Sequence, residues 1–480
     1  MSVNAKRKKQ IFWYNFANYT SYTIVVFSIA YLYNINIEIV GKIKYVESIA
    51  TALLPFLSLG LSQTFLNFIP ILNGYNAKNL YGISVALVFS ISFVALQFIT
   101  IFNFYFPISS FNFIVFGIVI SSAMSFLELM KSLAITTNRI SKLVLFEKIA
   151  PKIFMIFILL FFGKLTYDNN SFLTYYCIMY FVVVIYLLAY LNKFKVPKFL
   201  FKTEYLFIYF KKSDLLKYMF YSVLASSLSF LAFKLEGLII PYFFSMKTNG
   251  LFSVALFISG FVTLPAGSVF ALNAPLVSDM IKNNEFAELN QKYKEVAKLI
   301  FYKSFVIMTI IYCVLPQFFE YAYNNKADYL NLIPIIKILC LGSLISVATG
   351  FNNEIIIYSK FYKYNYLFTF LLVIINLGMF YYFLNYTNLG LVGVGCAISI
   401  SIILFNLIKL IFIKIKFNLN PFDKKYLVLI ILMSIVFLFA SFCPTTNILF
   451  LDIFLKLGII FGFNLLIVRN IKLIDRTKIV

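Results

Sequence analysis

Histidine is absent from the 480 residues, tryptophan occurs once, and only 18 residues are acidic against 41 Lys and Arg. Without histidine a Cys/His metal site is excluded. Cys177, Cys313, Cys340, Cys396 and Cys443 sit singly in apolar segments with no CxxC spacing, and read as small residues facing lipid or core. A nucleophile–base constellation and a phosphate-cradling glycine loop are missing too. Gly393-Val-Gly395 falls in an apolar run, where small residues permit close helix approach. We therefore expect no cofactor, no metal and no enzymatic chemistry. Charged residues make up only 12% of the chain and hydrophobic ones 62%, which leaves little room for a water-soluble domain.

What is present is one apolar run after another, each near the ~20 residues that a helix needs to span a bilayer. The expected fold class is an all-α integral membrane protein with about 14 transmembrane helices. The first six lie near 10–34, 45–72, 80–104, 111–136, 142–163 and 171–192. Six more lie near 215–244, 250–277, 299–319, 329–358, 364–385 and 389–410, and the last two near 425–443 and 448–468. The start, Lys6-Arg-Lys-Lys9 before an apolar run, imitates a signal peptide. With Asn15, Asn18 and Tyr19 interrupting the run and no clear small-residue cleavage site, it reads as a retained first span.

A net charge of +23 would suit a nucleic-acid binder, but the basic residues are spread over short loops, so no nucleic acid is expected. About 33 of the 41 Lys and Arg fall on one set of alternate loops, among them those counted from Lys131 to Lys152, Lys282 to Lys303 and Lys409 to Lys425. The other set holds Lys42, Lys44, Lys164, Lys247 and Lys326, while Lys234, Lys337 and Lys456 lie within spans. That asymmetry puts both termini in the cytoplasm. The basic, aromatic segment 194–214 reads as an interfacial linker between an N-terminal six-helix lobe, 1–193, and a C-terminal one, 215–416. Residues 417–480 add two helices and a cytoplasmic tail. An even number of spans per lobe makes the halves parallel repeats. A faint echo agrees with this: Gly41 precedes Pro55 by 14 positions and Gly250 precedes Pro265 by 15. After the eighth span, Phe286, Leu289, Tyr293, Val296 and Ile300 recur at helical spacing among charged residues, an amphipathic helix running into the ninth span.

The informative residues are the intramembrane charges, which face a bundle interior or a wet cavity. Lys234 and Glu236 interrupt the seventh span past its middle. Positions two apart lie on different helix faces, so each needs its own partner. Two readings stay open: interhelical salt bridges, with Lys234 reaching Glu354 or Glu128, or contact with a substrate. Glu354, beside Asn352 and Asn353 and without a cation one turn away, either lines a cavity or is structural. Asn67 and Asn273 occupy comparable places in spans two and eight, where they can serve a sugar or a neighbouring helix. Glu128 with Lys131, and Asp452 with Lys456, are spaced to pair on one helix face, and Lys337 is close enough to an interface to snorkel.

A wider pattern runs through the chain. Gly250-Leu-Phe-Ser-Val-Ala-Leu256 leads into Thr263-Leu-Pro-Ala-Gly267, Ala274-Pro-Leu-Val-Ser-Asp279 and the amphipathic run Asn284 to Tyr293. With Leu59-Gly-Leu-Ser-Gln-Thr-Phe-Leu-Asn67, Leu389-Gly-Leu-Val-Gly-Val-Gly395 and Pro421-Phe422, the sequence resembles the polysaccharide-exporter flippases of the MOP superfamily over most of its length. The resemblance implies two six-helix lobes around a central cavity, plus two peripheral helices. The implied cargo is an undecaprenyl-pyrophosphate-linked oligosaccharide, an O-antigen or capsule repeat unit, moved from the cytoplasmic to the periplasmic leaflet of the inner membrane. Lys234, Glu236, Glu354, Asn67 and Asn273 are the substrate-binding candidates. Partners would be the lipid-linked oligosaccharide, membrane lipids and other polysaccharide-assembly membrane proteins. The alternatives are a cation-coupled drug antiporter of the same superfamily and a membrane-embedded polysaccharide polymerase. Short outside loops such as Pro107 to Asn112 speak against the latter.

Overall fold

A computed structural model of the chain describes residues 16, 20–33, 35–68, 72, 74–136, 140–163, 170–192, 211–323, 327–442 and 449–470. Among them every regular element is helical. Among the described residues ten helices, from Asn79–Tyr105 to Lys424–Ser441, are long and apolar enough to cross a membrane. The molecule is thus an all-α, multi-pass membrane protein. The basic N-terminus, the linker up to residue 210 and the tail from residue 471 onward lie outside the described residues. The chain separates into two compact units, 1–250 and 251–480.

The first unit holds α1 (Thr20–Leu32), α2 (Ile37–Ser58), α3 (Leu61–Phe68), α4 (Gly74–Tyr105) and α5 (Phe111–Thr136). It continues with α6 (Ile140–Phe162), α7 (Ser171–Asn192), α8 (Lys212–Phe233), α9 (Glu236–Phe243) and the first turns of α10 (Met246–Gly260). Helices α2, α3, α4, α6 and α7 all pack on α5. Two expectations change here. Lys42 and Lys44 do not sit in a loop, because Asn36 caps the backbone N–H of Ile39 at 3.2 Å and starts α2 before both of them. Lys42 then pairs with Glu38 one turn back at 2.9 Å, and Lys44 with Glu47 at 2.6 Å. The second span is also not one helix. Leu59 and Gly60 take φ of 47° and 64°, which stops α2 and re-aims the chain into α3. Only glycine fits at position 60, where an added Cβ would lie 2.6 Å from Ser222 of α8. Beyond the break Leu61 and Phe65 join a core with Leu80, Tyr81, Val88, Leu129 and Met219.

The glycines paired by the sequence echo meet in space. A Cβ on Gly41 of α2 would fall onto the Met246 carbonyl and lie 2.9 Å from Gly250 N, while Asn249 Nδ2 donates to Gly41 O at 2.9 Å. Their missing side chains let α2 and α10 cross backbone to backbone.

The second unit holds the end of α10, α11 (Leu264–Lys282), α12 (Phe286–Tyr323), α13 (Ala327–Leu330) and α14 (Ile333–Ala348). It closes with α15 (Asn352–Tyr358), α16 (Lys363–Tyr386), α17 (Gly390–Phe417), α18 (Lys424–Ser441) and α19 (Leu449–Asn470). The amphipathic run and the ninth span form the single helix α12, against which α11, α14, α18 and α19 pack. Its expected apolar stripe is inside: Leu289, Tyr293, Val296 and Ile300 are buried. The tenth span breaks at Gly350, φ 67°, where a Cβ would meet the Tyr293 ring at 2.9 Å. Lys337 places its ammonium 5.4 Å from the Tyr312 ring centroid, and Lys456 donates to the Cys313 carbonyl at 3.2 Å beside buried Asp452.

Asp423 fastens α18 to α12. Its Oδ1 caps the Tyr426 N–H at 2.7 Å and its Oδ2 accepts from Lys298 at 2.8 Å, a lysine expected in a loop but only 5% exposed. Partial burial pushes the Asp423 carboxyl up. The Lys298 and Tyr426 hydrogen bonds and the charges of Lys298 and Lys294 outweigh it, so the net shift is downward. The resulting stability is present above the unfolded carboxyl range, about 3.9, and is lost as pH falls through the lower folded value. Asp423→Asn is expected to cost about 1–3 kcal/mol at neutral pH, read as a lower thermal midpoint in detergent. It should also shrink the loss that the native protein shows on acidification below about pH 4.

Candidate functional site

Within the first unit a cavity of about 340 Å³ opens among six elements. Its polar lining is Ser21 of α1, Glu47 and Thr51 of α2, Glu128 of α5, Lys152 of α6, Tyr180 of α7 and Lys234 at the end of α8. That volume is at the small end of ligand pockets, ~300–1,000 Å³.

Each charge arrives there for a local reason. Lys44, Glu47, Ser48 and Thr51 follow one another at helical spacing, a polar stripe down an apolar helix. Ser48 and Thr51 bond back to the carbonyls of Lys44 and Glu47, so their hydroxyls need no outside partner. Glu47 accepts from Lys44 Nζ at 2.6 Å and from the Tyr176 hydroxyl, and is held on two sides. Glu128 accepts from Ser62 of α3 at 3.3 Å. Lys234 is the residue at which α8 stops: its φ of −140° leaves the helix, its N–H bonds to Phe230 O, and α9 restarts at Glu236. The seventh span, expected as one helix, is therefore two. α9 is drawn onto α2 at Gly237, which lies against Ser48.

The two carboxylates have hydrogen-bond partners. The two lysines that line the cavity do not: among the described residues neither Lys152 nor Lys234 has a hydrogen bond or a salt bridge. Lys152 has only the longer-range attraction of Glu47, which Lys44 already binds. A cavity with two ammonium groups that make no hydrogen bond suits an anion, above all one with several oxygens.

Of the expected site residues, Lys234 lines this cavity and Glu236, at the first turn of α9, does not. Glu354 belongs to the second unit, where the cation facing it is Lys409. Asn273 donates to Val269 O at 2.8 Å, one turn back on its own helix. Asn67 is on α3, and its side chain lies outside the described residues. Glu47 and Lys152 were missed by the sequence reading. The signal for Glu47 was there, in the polar stripe from Lys44 to Thr51. Counting Lys152 with the loop lysines hides it, although it falls inside the fifth run, 142–163, and α6 runs from Ile140 straight through it and Pro151 to Phe162.

No protein-family model matches the sequence, and no curated protein matches it. Solved structures do. A structure described as the lipid II flippase MurJ in an inward closed conformation superposes with a TM-score of 0.68, covering 95% of this chain and 99% of that one at 15% identity. An inward-facing multidrug resistance MATE family transporter of the MOP superfamily gives 0.62, with 83% and 94% covered, also at 15% identity. A MOP superfamily transporter from Pyrococcus furiosus Vc1, described as having a binding pocket of reversed polarity, gives 0.55 over 86% and 96%, again at 15% identity. At such identity the likeness speaks for architecture. The chain has the fold of the MOP-superfamily transporters.

Proposed function

We propose that this protein is a flippase for an undecaprenyl-pyrophosphate-linked oligosaccharide, an O-antigen or capsule repeat unit. It works by alternating access between lobes 1–193 and 215–416 and carries about 14 spans, with both termini cytoplasmic, in the bacterial inner membrane. The observation that carries this reading is the pair Lys152 and Lys234, lining one cavity without a hydrogen bond or salt bridge of their own among the described residues. Its volume of about 340 Å³ suits the diphosphate end of a cargo better than a whole oligosaccharide. The sugars would then extend beyond it while the polyprenyl tail stays in lipid. The fold likeness to a lipid II flippase over 95% of the chain supports a lipid-linked cargo.

Deleting the gene and locating the lipid-linked intermediate tests this reading. The intermediate is expected to collect in the cytoplasmic leaflet and to return to both leaflets on complementation. An unchanged distribution would sink the proposal. One observation favours a second reading, a cation-coupled antiporter: Glu47 and Glu128 line the same cavity, and several MATE transporters share the fold. Uptake of a cationic dye by everted vesicles, lost in Glu47→Gln, would support the antiporter.

A further inference from the structure

Three helices of the second unit meet at one lysine. Lys409 of α17 is 2% exposed, although its sequence position suggested a loop. Its Nζ donates to Asn353 Oδ1 of α15 at 2.9 Å and to Asn365 Oδ1 of α16 at 3.1 Å, and stands 4.2 Å from the centroid of the Phe405 ring. The Glu354 carboxylate is within electrostatic reach. Its Oε2 is buried and, among the described residues, has no hydrogen-bond partner. The break at Gly350 sets this arrangement, because it starts α15 anew and brings Asn353 and Glu354 onto its first turn. The first turn is pinned from below, where Asn352 Nδ2 donates to Thr349 Oγ1 at 3.0 Å and to Asn406 Oδ1 at 3.1 Å.

Two amide oxygens, a carboxylate oxygen without a partner and an aromatic face are what a hard monovalent cation prefers as surroundings. Here the cation is on a stem. Glu354 at −1 and Lys409 at +1 sum to zero, so an added alkali ion would leave an uncompensated positive charge in the interior, which is strongly disfavoured. Taking the ammonium away reverses the balance. It leaves one buried negative charge, converging amide oxygens and the space vacated by a lysine stem.

We propose that this cluster is a monovalent-cation site with its cation built in. The Lys409 ammonium takes the place of an alkali ion, so the native site binds neither Na+ nor K+. Loss of the Lys409 side chain turns it into a Na+ site held by Glu354, Asn353 and Asn365. The proposal does not depend on the cargo.

The test is the thermal midpoint of the purified full-length protein in detergent. NaCl replaces N-methyl-D-glucamine chloride stepwise at constant ionic strength. The native protein should be indifferent to Na+. The midpoint of Lys409→Ala should rise by about 1–2 °C for each tenfold increase in Na+ above its dissociation constant. The double variant Lys409→Ala, Glu354→Gln should be indifferent again. A Lys409→Ala protein that folds and ignores Na+ overturns the proposal. So does a saturable, Na+-specific rise in the native protein that Glu354→Gln removes. Should Lys409→Ala fail to fold, Lys409→Ser is titrated in its place: a Na+-specific rise that Glu354→Gln removes supports the proposal, and indifference to Na+ overturns it.

Discussion

On the proposed function, Lys234→Ala is expected to lower flipping at least ~30-fold while the protein still accumulates in the membrane, because removing one charge of a charge-paired anion contact costs about 2–5 kcal/mol. Lys234 ends α8 at the cavity wall and has neither a hydrogen bond nor a salt bridge among the described residues, so no helix contact is lost with its ammonium. Lys234→Arg should keep part of the activity, since charge survives although the compact ammonium does not. Lys152→Ala should act in the same direction, and the two losses should not simply add, because both groups serve one anion. A bracing role makes the opposite forecast. If Lys234 were paired with Glu128 across the cavity, Lys234→Met together with Glu128→Gln would restore export, as neutral replacements of ion pairs often do. Normal export by that double variant, measured by leaflet-resolved labelling of the intermediate, would falsify the phosphate contact.

Gly41→Ala should be the most damaging single methyl in the chain. The new Cβ would fall onto the Met246 backbone carbonyl, where no side chain can swing aside, and α2 and α10 would have to part. Parting also loses the buried hydrogen bond from Asn249 to Gly41 O. Together these are expected to cost about 2–4 kcal/mol, read as a lower thermal midpoint in detergent, and to abolish transport. Gly378→Ala is the control. That position in α16 has open space around it, so alanine should be neutral or stabilise by about 0.5–1 kcal/mol through helix propensity. Equal midpoints for the two variants would show that the crossing tolerates separation.

The helices were legible in the sequence because hydropathy over ~20 residues is a long, averaged signal. Their interruptions were not, since a break needs only one or two residues. Leu59 with Gly60, Lys234 with Leu235, and Gly350 each end a helix inside a run that stays apolar on both sides. The cavity was half legible. Lys234 stood out because it interrupts an apolar run in mid-span. Lys152, Lys298 and Lys409 were hidden by the same rule that gave the topology. Counting lysines into loops takes in Lys298 and Lys409, beside the ends of their runs, and even Lys152 inside the fifth run, whereas all three stand on helices. Glu47 was hidden in the same way once Lys44 had been taken for a loop residue. Asn36 was the overlooked cue, a helix cap eight residues ahead of Lys44.

The break at Lys234 also settles how a lysine can wait in a membrane without a carboxylate. The aligned peptide groups of α8 end there, and a helix C-terminus carries roughly half a negative charge; α9 begins at Glu236, and a helix N-terminus carries roughly half a positive one. Lys234 and Glu236 therefore each stand at the helix end whose polarity opposes their charged form. Such a fractional partner is worth about 0.3–1 kcal/mol, against about 3–5 kcal/mol for breaking a buried ion pair. On the function proposed above, an arriving diphosphate would displace only that weak attraction and on leaving would return the ammonium to a tolerable resting state. With each ~1.4 kcal/mol worth tenfold in an equilibrium, the interrupted helix would then keep the ammonium ready for a cargo released on every cycle.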